Sequence, residues 1–160
     1  MYDFVYELGY LALATRFKRL SEAMVHSGRE MYKELGLDVE PNWFLIFKLL
    51  KKYETLSVTQ IANKLHFSHP SVITLISKME QNGYLQSSSD DKDARKKNYT
   101  LTDKAHEKLP QLEEIWHAGT VGVQNLFDAD SRFLEELEQL EVHLSKKSFK
   151  QRTFNEMNHD

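Results

Sequence analysis

The sequence predicts a mainly α-helical chain that carries one small β-hairpin. Apolar residues recur at helical spacing over most of the chain. Only three prolines and six glycines occur among 160 residues, too few for a loop-rich fold. The β-prone residues are confined to two short runs around a polar, turn-forming stretch within residues 84–101. The length suits one domain over 1–160, with a core over 41–102 flanked by helical arms over 8–35 and 103–150.

In chain order, Leu13, Phe17, Leu20, Met24, Met31 and Leu35 repeat at roughly heptad spacing and predict a helix over 8–35. Gly28 is expected to soften it and Gly36 to stop it. Its length for so small a chain points to a helix that pairs with a second subunit. Pro41 opens the next helix, which Trp43, Phe44, Phe47, Leu49 and Leu50 load with apolar bulk, and Lys51 and Lys52 suit its negative end.

Ser57 and Gln60 have the spacing of a capping box, ahead of an apolar stripe at Ile61, Ala62 and Leu65. A turn follows at His66 and Phe67. Ser68 caps a second helix with Pro70 in its first turn, Val72, Leu75, Ile76 and Met79 facing inward, and Gly83 just past its end. Two short helices joined this tightly have the outline of a helix-turn-helix, whose second helix lies in the DNA major groove. The outward residues His69, Ser71, Thr74, Ser77, Lys78 and Gln81 are small or polar, as base edges and phosphates require.

Residues 84–86 and 98–101 form the hairpin, and Lys92, Arg95, Lys96 and Lys97 gather at its tip. A basic tip beside a recognition helix suits a wing that follows the DNA backbone and enters the minor groove. Thr102 caps a third long helix with Ala105, Leu109, Leu112, Trp116, Val123 and Leu126 at apolar positions, which Pro110 either kinks or breaks and in which Gly119 and Gly122 weaken the second half. A turn over 128–131 leads to a last helix marked by Leu134, Leu137, Leu140 and Leu144, and the tail from Ser148 is expected to fray.

The run LSVTQIANKLHFSHPSVITLISKMEQNGYL, followed by DDKDARKKNYTLTDKA, resembles the winged helix-turn-helix core of the MarR family of bacterial regulators. The resemblance is carried by Leu56-Ser57 with Ile61-Ala62, by the helix from Ser68 to Gly83, and by Asp93-x-Arg95 ahead of Leu101-Thr102. It implies that Asp93 steadies the wing and that Arg95 enters the minor groove, with Lys92, Lys96 and Lys97 on the backbone. Ala94 stands where many members have an arginine, and His66 where glycine is common. The resemblance also implies a homodimer of intertwined terminal helices on double-stranded DNA, reading a pseudo-palindrome with half-sites about 10 base pairs apart. A small-molecule effector bound between the dimer helices and the winged domain is implied as well, for which Arg16, His26, Tyr32, Trp43 and Phe47 are candidate lining residues.

Net charge is −3, but ten Lys and Arg face seven Asp and Glu over 51–108, whereas five face ten from residue 109 onward. The positive excess falls on the proposed reader and predicts salt-sensitive binding. With no cysteine, disulfides and thiol redox sensing are excluded. No apolar run reaches the ~20 residues of a membrane span, and the start of the chain lacks the basic region of a signal peptide, so a cytoplasmic protein is expected.

There is no Gly-rich phosphate loop, nucleophile elbow or zinc-protease motif, and Glu113-Glu114 and Glu135-Glu136 point to different helix sectors, so neither an enzyme nor a cofactor is expected. Two alternatives stand beside the DNA reader. One is a metal-responsive regulator using histidines such as His66, His69, His106, His117 and His143, with Glu107, although no spacing is a recognised ligand set. The other is a winged-helix module that binds protein.

Overall fold

The computed structural model describes residues 3–89, 97–128 and 130–158. They form two compact units, one ending at Leu109 and the other beginning at Pro110. The first opens with a single turn, α1 (Phe4–Glu7), capped by the Asp3 carboxylate, which accepts from the Tyr6 amide at 2.9 Å. A 3-10 turn over Gly9–Ala12 separates it from α2 (Leu13–Glu34), so the helix expected from residue 8 begins later. Gly9 takes a φ of +53°, which an L residue adopts only at a cost, and this breaks the helix there.

Helix α2 stops where expected. Gly36 has a φ of +66°, and the Leu37 amide donates back to the Tyr32 carbonyl at 2.9 Å, a Schellman-type end. Gly28 lies within the continuous helix. A Cβ there would stand 3.1 Å from Cγ of Pro41, so glycine lets the following segment lie close against α2.

After a 3-10 turn over Pro41–Trp43, α3 (Phe44–Tyr53) buries Ile46, Phe47 and Leu50, while Phe44 faces outward. Then come β1 (Leu56–Ser57), α4 (Val58–Leu65), α5 (His69–Gln81), β2 (Leu85–Ser89) and β3 (Lys97–Leu101). The sheet is antiparallel in the order β1-β3-β2, with Leu56 opposite Tyr99 and Leu85 opposite Leu101. The hairpin agrees with the sequence pattern. The two-residue β1 was not expected, because so short a strand has no periodicity to read. The whole is a winged helix-turn-helix.

Its core is built on aromatic edges. Tyr84 meets Trp43 at 5.8 Å and Phe47 at 5.5 Å between ring centroids, both in edge-to-face geometry. Ile46, Ile61, Val72, Ile76 and Met79 are all buried. Full burial of each such aliphatic chain contributes about 1.5–3 kcal/mol, so these buried side chains hold the helix pair and wing as one body.

Helix α6 (Asp103–Asn125) starts on Thr102, whose hydroxyl accepts from the Ala105 amide at 3.3 Å. It runs through Pro110 and both later glycines without a break. A proline removes its own amide donor and crowds the carbonyl four residues back, yet the helix continues past it. In the second unit, Phe127, in the turn before α7 (Arg132–Lys146), stacks on Phe133 of the first turn of that helix at 4.8 Å.

The tail expected to fray is instead a helix, α8 (Phe149–Met157). Ser148 and Gln151 form a capping box, the Gln151 amide donating to Ser148 Oγ at 3.3 Å and the Ser148 amide to Gln151 Oε1 at 2.8 Å. Arg152 donates to the His143 and Lys147 carbonyls at 2.6 and 3.0 Å, satisfying the end of α7. Among the described residues, no helix is long and apolar enough to cross a membrane.

Candidate nucleic-acid interface

The helix-turn-helix is fixed by its caps. The Ser57 amide donates to Gln60 Oε1 at 2.8 Å, and Ser57 Oγ accepts from the Gln60 amide at 3.3 Å. His66 closes α4 in the left-handed region, at φ 52° and ψ 36°, the backbone glycine takes freely. Ser68 then caps α5, accepting from the Ser71 amide at 3.3 Å, with Pro70 in the first turn.

Val72, Leu75, Ile76 and Met79 face the core as the spacing predicts. His69, Ser71, Thr74, Lys78 and Gln81 are exposed, and Ser77 is half-buried. Two hydroxyls of this face are already engaged. Thr74 donates to the Pro70 carbonyl at 3.0 Å, and the Ser71 and Ser68 hydroxyls share a bond of 2.8 Å. Thr74 can therefore offer a base edge an acceptor or a methyl group, but no donor. Ile73, outside the inward stripe, is exposed on α5 and was not singled out from the sequence.

In the wing, β2 and β3 pair as far as Ser89 and Lys97, and Lys97 is exposed. The roles expected of Lys92, Asp93, Arg95 and Lys96 fall outside the described residues.

At the other end of α5 lies a polar cluster that the sequence did not suggest. The Tyr84 hydroxyl donates to Asp38 Oδ1, and Lys104 donates to Asp38 Oδ2 at 2.7 Å and to the Asn82 carbonyl at 2.8 Å. The ammonium also stands 4.2 Å from the centroid of the Tyr84 ring. Burial pushes the Asp38 carboxyl up, but hydrogen bonds from Lys104 and Tyr84 and the lysine charge outweigh it and hold the pKa below the ordinary 3.8. Burial, then the bond to Asp38, raises the Tyr84 hydroxyl well above its usual value.

The candidate effector residues separate by environment. Tyr32, Trp43 and Phe47 are buried. His26 is exposed, 3.6 Å from Glu30, and Arg16 lines a surface hollow with Asp3, Tyr6 and Arg19. Two adjoining clefts of about 510 and 340 Å³ share Arg29, Glu40, Trp43 and Lys78. Trp43 Nε1 is buried and has no hydrogen-bond partner among the described residues. Among those residues, no three of His, Asp and Glu gather as a metal site.

Residues 39–97 match the model of the MarR family. The segment is a MarR-family domain. This MarR-family domain runs from the loop before α3 to the first residue of β3, the region in which the sequence resemblance was strongest. The chain is 35% identical over 106 residues to YkoM, an uncharacterised HTH-type transcriptional regulator of Bacillus subtilis strain 168; the match covers 66% of this chain and 65% of that relative's own length.

Among solved structures it resembles the MepR–DNA complex of S. aureus (22% identity, TM-score 0.64, covering 84% of this chain and 94% of that one). It also resembles overoxidised AbfR bound to DNA (20%, TM-score 0.66, 87% and 98%) and a MarR protein of Peptoclostridium difficile (22%, TM-score 0.65, 84% and 85%). At these identities the likeness establishes the fold.

Proposed function

We propose that this chain is a cytoplasmic, sequence-specific DNA-binding transcriptional regulator, not an enzyme. The observation that carries the reading is the outward face of α5, where His69, Ser71, Thr74 and Lys78 stand exposed on a helix whose opposite face is fully in the core. His69, Ser71, Thr74, Ser77 and Lys78 contact base edges and phosphates. Arg95 enters the minor groove, Asp93 holds the wing, and Lys92, Lys96 and Lys97 lie on the backbone.

The regulator acts as a homodimer on a pseudo-palindromic operator and represses by occluding a promoter. Support for the dimer comes from α2 and its C-cap, where Phe17, Leu20, Met24, Met31 and Leu35 are exposed at near-heptad spacing. The MepR and AbfR structures, each bound to DNA, support the same partner here.

The test is binding of the purified protein to its own upstream DNA across a salt series, beside Arg95→Ala. The expected result is binding specific to one segment, steeply weakened by salt, with the variant weaker and its log–log salt slope shallower by about 2, roughly 1 for each arginine lost from the dimer. Binding that ignores both sequence and Arg95 would require the protein-interaction reading instead.

Release by a small-molecule ligand is the second part of the proposal, with Arg16, His26, Tyr32, Trp43 and Phe47 as its candidate contacts. What favours it is the unpartnered indole N–H of Trp43 beside two clefts that also hold Lys78 of the recognition helix. A ligand seated there acts only by preferring one arrangement of the reader. A thermal-shift screen of aromatic carboxylates tests it, since a ligand that binds the folded state must raise the Tm.

A further inference from the structure

We propose that Ile73 reads the 5-methyl group of a thymine in the major groove, which makes it a specificity-determining residue of the recognition helix. The inference rests on the DNA-reading function proposed above.

Helix α5 has five aliphatic or thioether side chains besides its proline. Val72, Leu75, Ile76 and Met79 are no more than 8% exposed, whereas Ile73 is 51% exposed. The core makes little use of it, and it lies on the same side as the polar reading residues, with His69 one turn before it and Ser77 one turn after. Pro70, three positions back, is exposed too.

The chemistry around Ile73 is poor in donors. The Thr74 proton is held by the Pro70 carbonyl and the Ser71 hydroxyl is tied to Ser68. His69 apart, the first two turns of α5 therefore present mainly carbon and acceptors around Ile73. A major groove offers one apolar group to such a surface, the thymine methyl, which lies beside the O4 acceptor of the same base. A β-branched side chain with few rotamers is suited to that contact, because little freedom is lost when it docks. Continuity with the His69–Lys78 face makes DNA the occupant rather than a second protein.

The experiment uses the full chain and the upstream DNA segment it prefers. Each thymine in turn is replaced by deoxyuridine, which keeps the base pair and removes only the methyl. The wild type is expected to lose about fourfold in affinity per half-site at one symmetric pair of positions, the effect of returning one methyl-sized group to water. Ile73→Ala should bind the thymine duplex more weakly and no longer distinguish it from the uracil duplex. Ile73→Val, which keeps the branch, should retain most of the discrimination, and circular dichroism confirms that both variants fold.

Specific binding with no sensitivity to deoxyuridine at any position would overturn the proposal and leave the regulator standing. Sensitivity that survives in Ile73→Ala would assign the methyl contact to another residue. If no specific segment is bound, the regulator reading falls and this one with it. An Ile73→Ala protein that instead loses a co-purifying protein partner would mark the patch as a protein-docking surface.

Discussion

Lys104 and Asp38 meet at 2.7 Å although they are 66 positions apart in the chain. Asp38 follows the end of α2 and Lys104 lies in the first turn of α6, while the same ammonium holds the carbonyl of Asn82 at the end of α5. One lysine thus ties the segment after α2 and the first turn of α6 to the end of the recognition helix, and Tyr84 supplies the buried floor beneath it.

Removing the acceptor should cost more than removing the donor. Asp38→Ala leaves the hydroxyl of a fully buried tyrosine without its carboxylate and is expected to destabilise by about 1–3 kcal/mol. Tyr84→Phe removes both the need and the bond and should cost less, and the double variant, which leaves no orphaned hydroxyl, should cost less than Asp38→Ala alone. A urea-unfolding double-mutant cycle checks this. The pH dependence follows from the lowered pKa. An ionised Asp38 supports the fold above its unfolded value and loses that support as pH falls through the folded value. Asp38→Asn should therefore flatten the loss of stability below about pH 4, and neutral pH should show no such slope.

His66 occupies a left-handed backbone that costs an L residue roughly 1–2 kcal/mol. His66→Gly relieves this but gives the unfolded chain more freedom, so the expected net gain is about 0.5–1 kcal/mol. His66→Val should lose stability, because a β-branched chain crowds that conformation most. Denaturant midpoints for the two variants should lie on opposite sides of the wild type.

Glu54 is in a tighter place, at φ 60° and ψ −54°, with the Thr55 amide donating to the Tyr53 carbonyl at 2.6 Å across it. This is a γ-turn of the strained kind. It links α3 to β1, and the pairing of Leu56 with Tyr99 sets where the chain must resume. Glu54→Gly is expected to raise the Tm by a few degrees, a gain of about 1 kcal/mol, whereas Glu54→Pro, whose ring fixes φ near −65°, should unfold the segment.

The sequence exposed whatever obeys a local rule. Ser57 with Gln60, Ser68 with Pro70, Gly36 and Gly83 each mark an end by chemistry that needs no distant partner. The capping box at Ser148 and Gln151 obeys the same rule, and α8 was missed because the tail lacks a continuous apolar stripe above it. The Asp38–Tyr84–Lys104 cluster could not be read, since three polar residues in three separate elements carry no shared spacing. Ile73 was legible in principle: it is the aliphatic residue of α5 that falls off the 72, 75, 76, 79 stripe. It was passed over because polar residues are the customary signal of a reading face. The wing's Asp93 and Arg95 rest on resemblance, since they fall outside the described residues.

The proposed dimer can be tested on α2 without touching the reader. Leu20 and Met24 are 62% and 58% exposed one turn apart, too much apolar surface for a helix that faces only water. If a second copy covers them, each contributes on the order of 1.5–3 kcal/mol to association. Leu20→Lys with Met24→Lys should then turn a dimer into a monomer at micromolar concentration in sedimentation, while the aromatic core around Tyr84 keeps its near-ultraviolet signal. Operator affinity should fall by two to four orders of magnitude, roughly the gain that linking two half-site contacts provides. Binding to an isolated half-site should stay within about threefold of the wild type, because bivalency plays no part there. A variant that remains dimeric would remove α2 from the interface, and the exposed apolar residues of α7 and α8, Leu134 and Phe154 among them, would then be the surface to substitute.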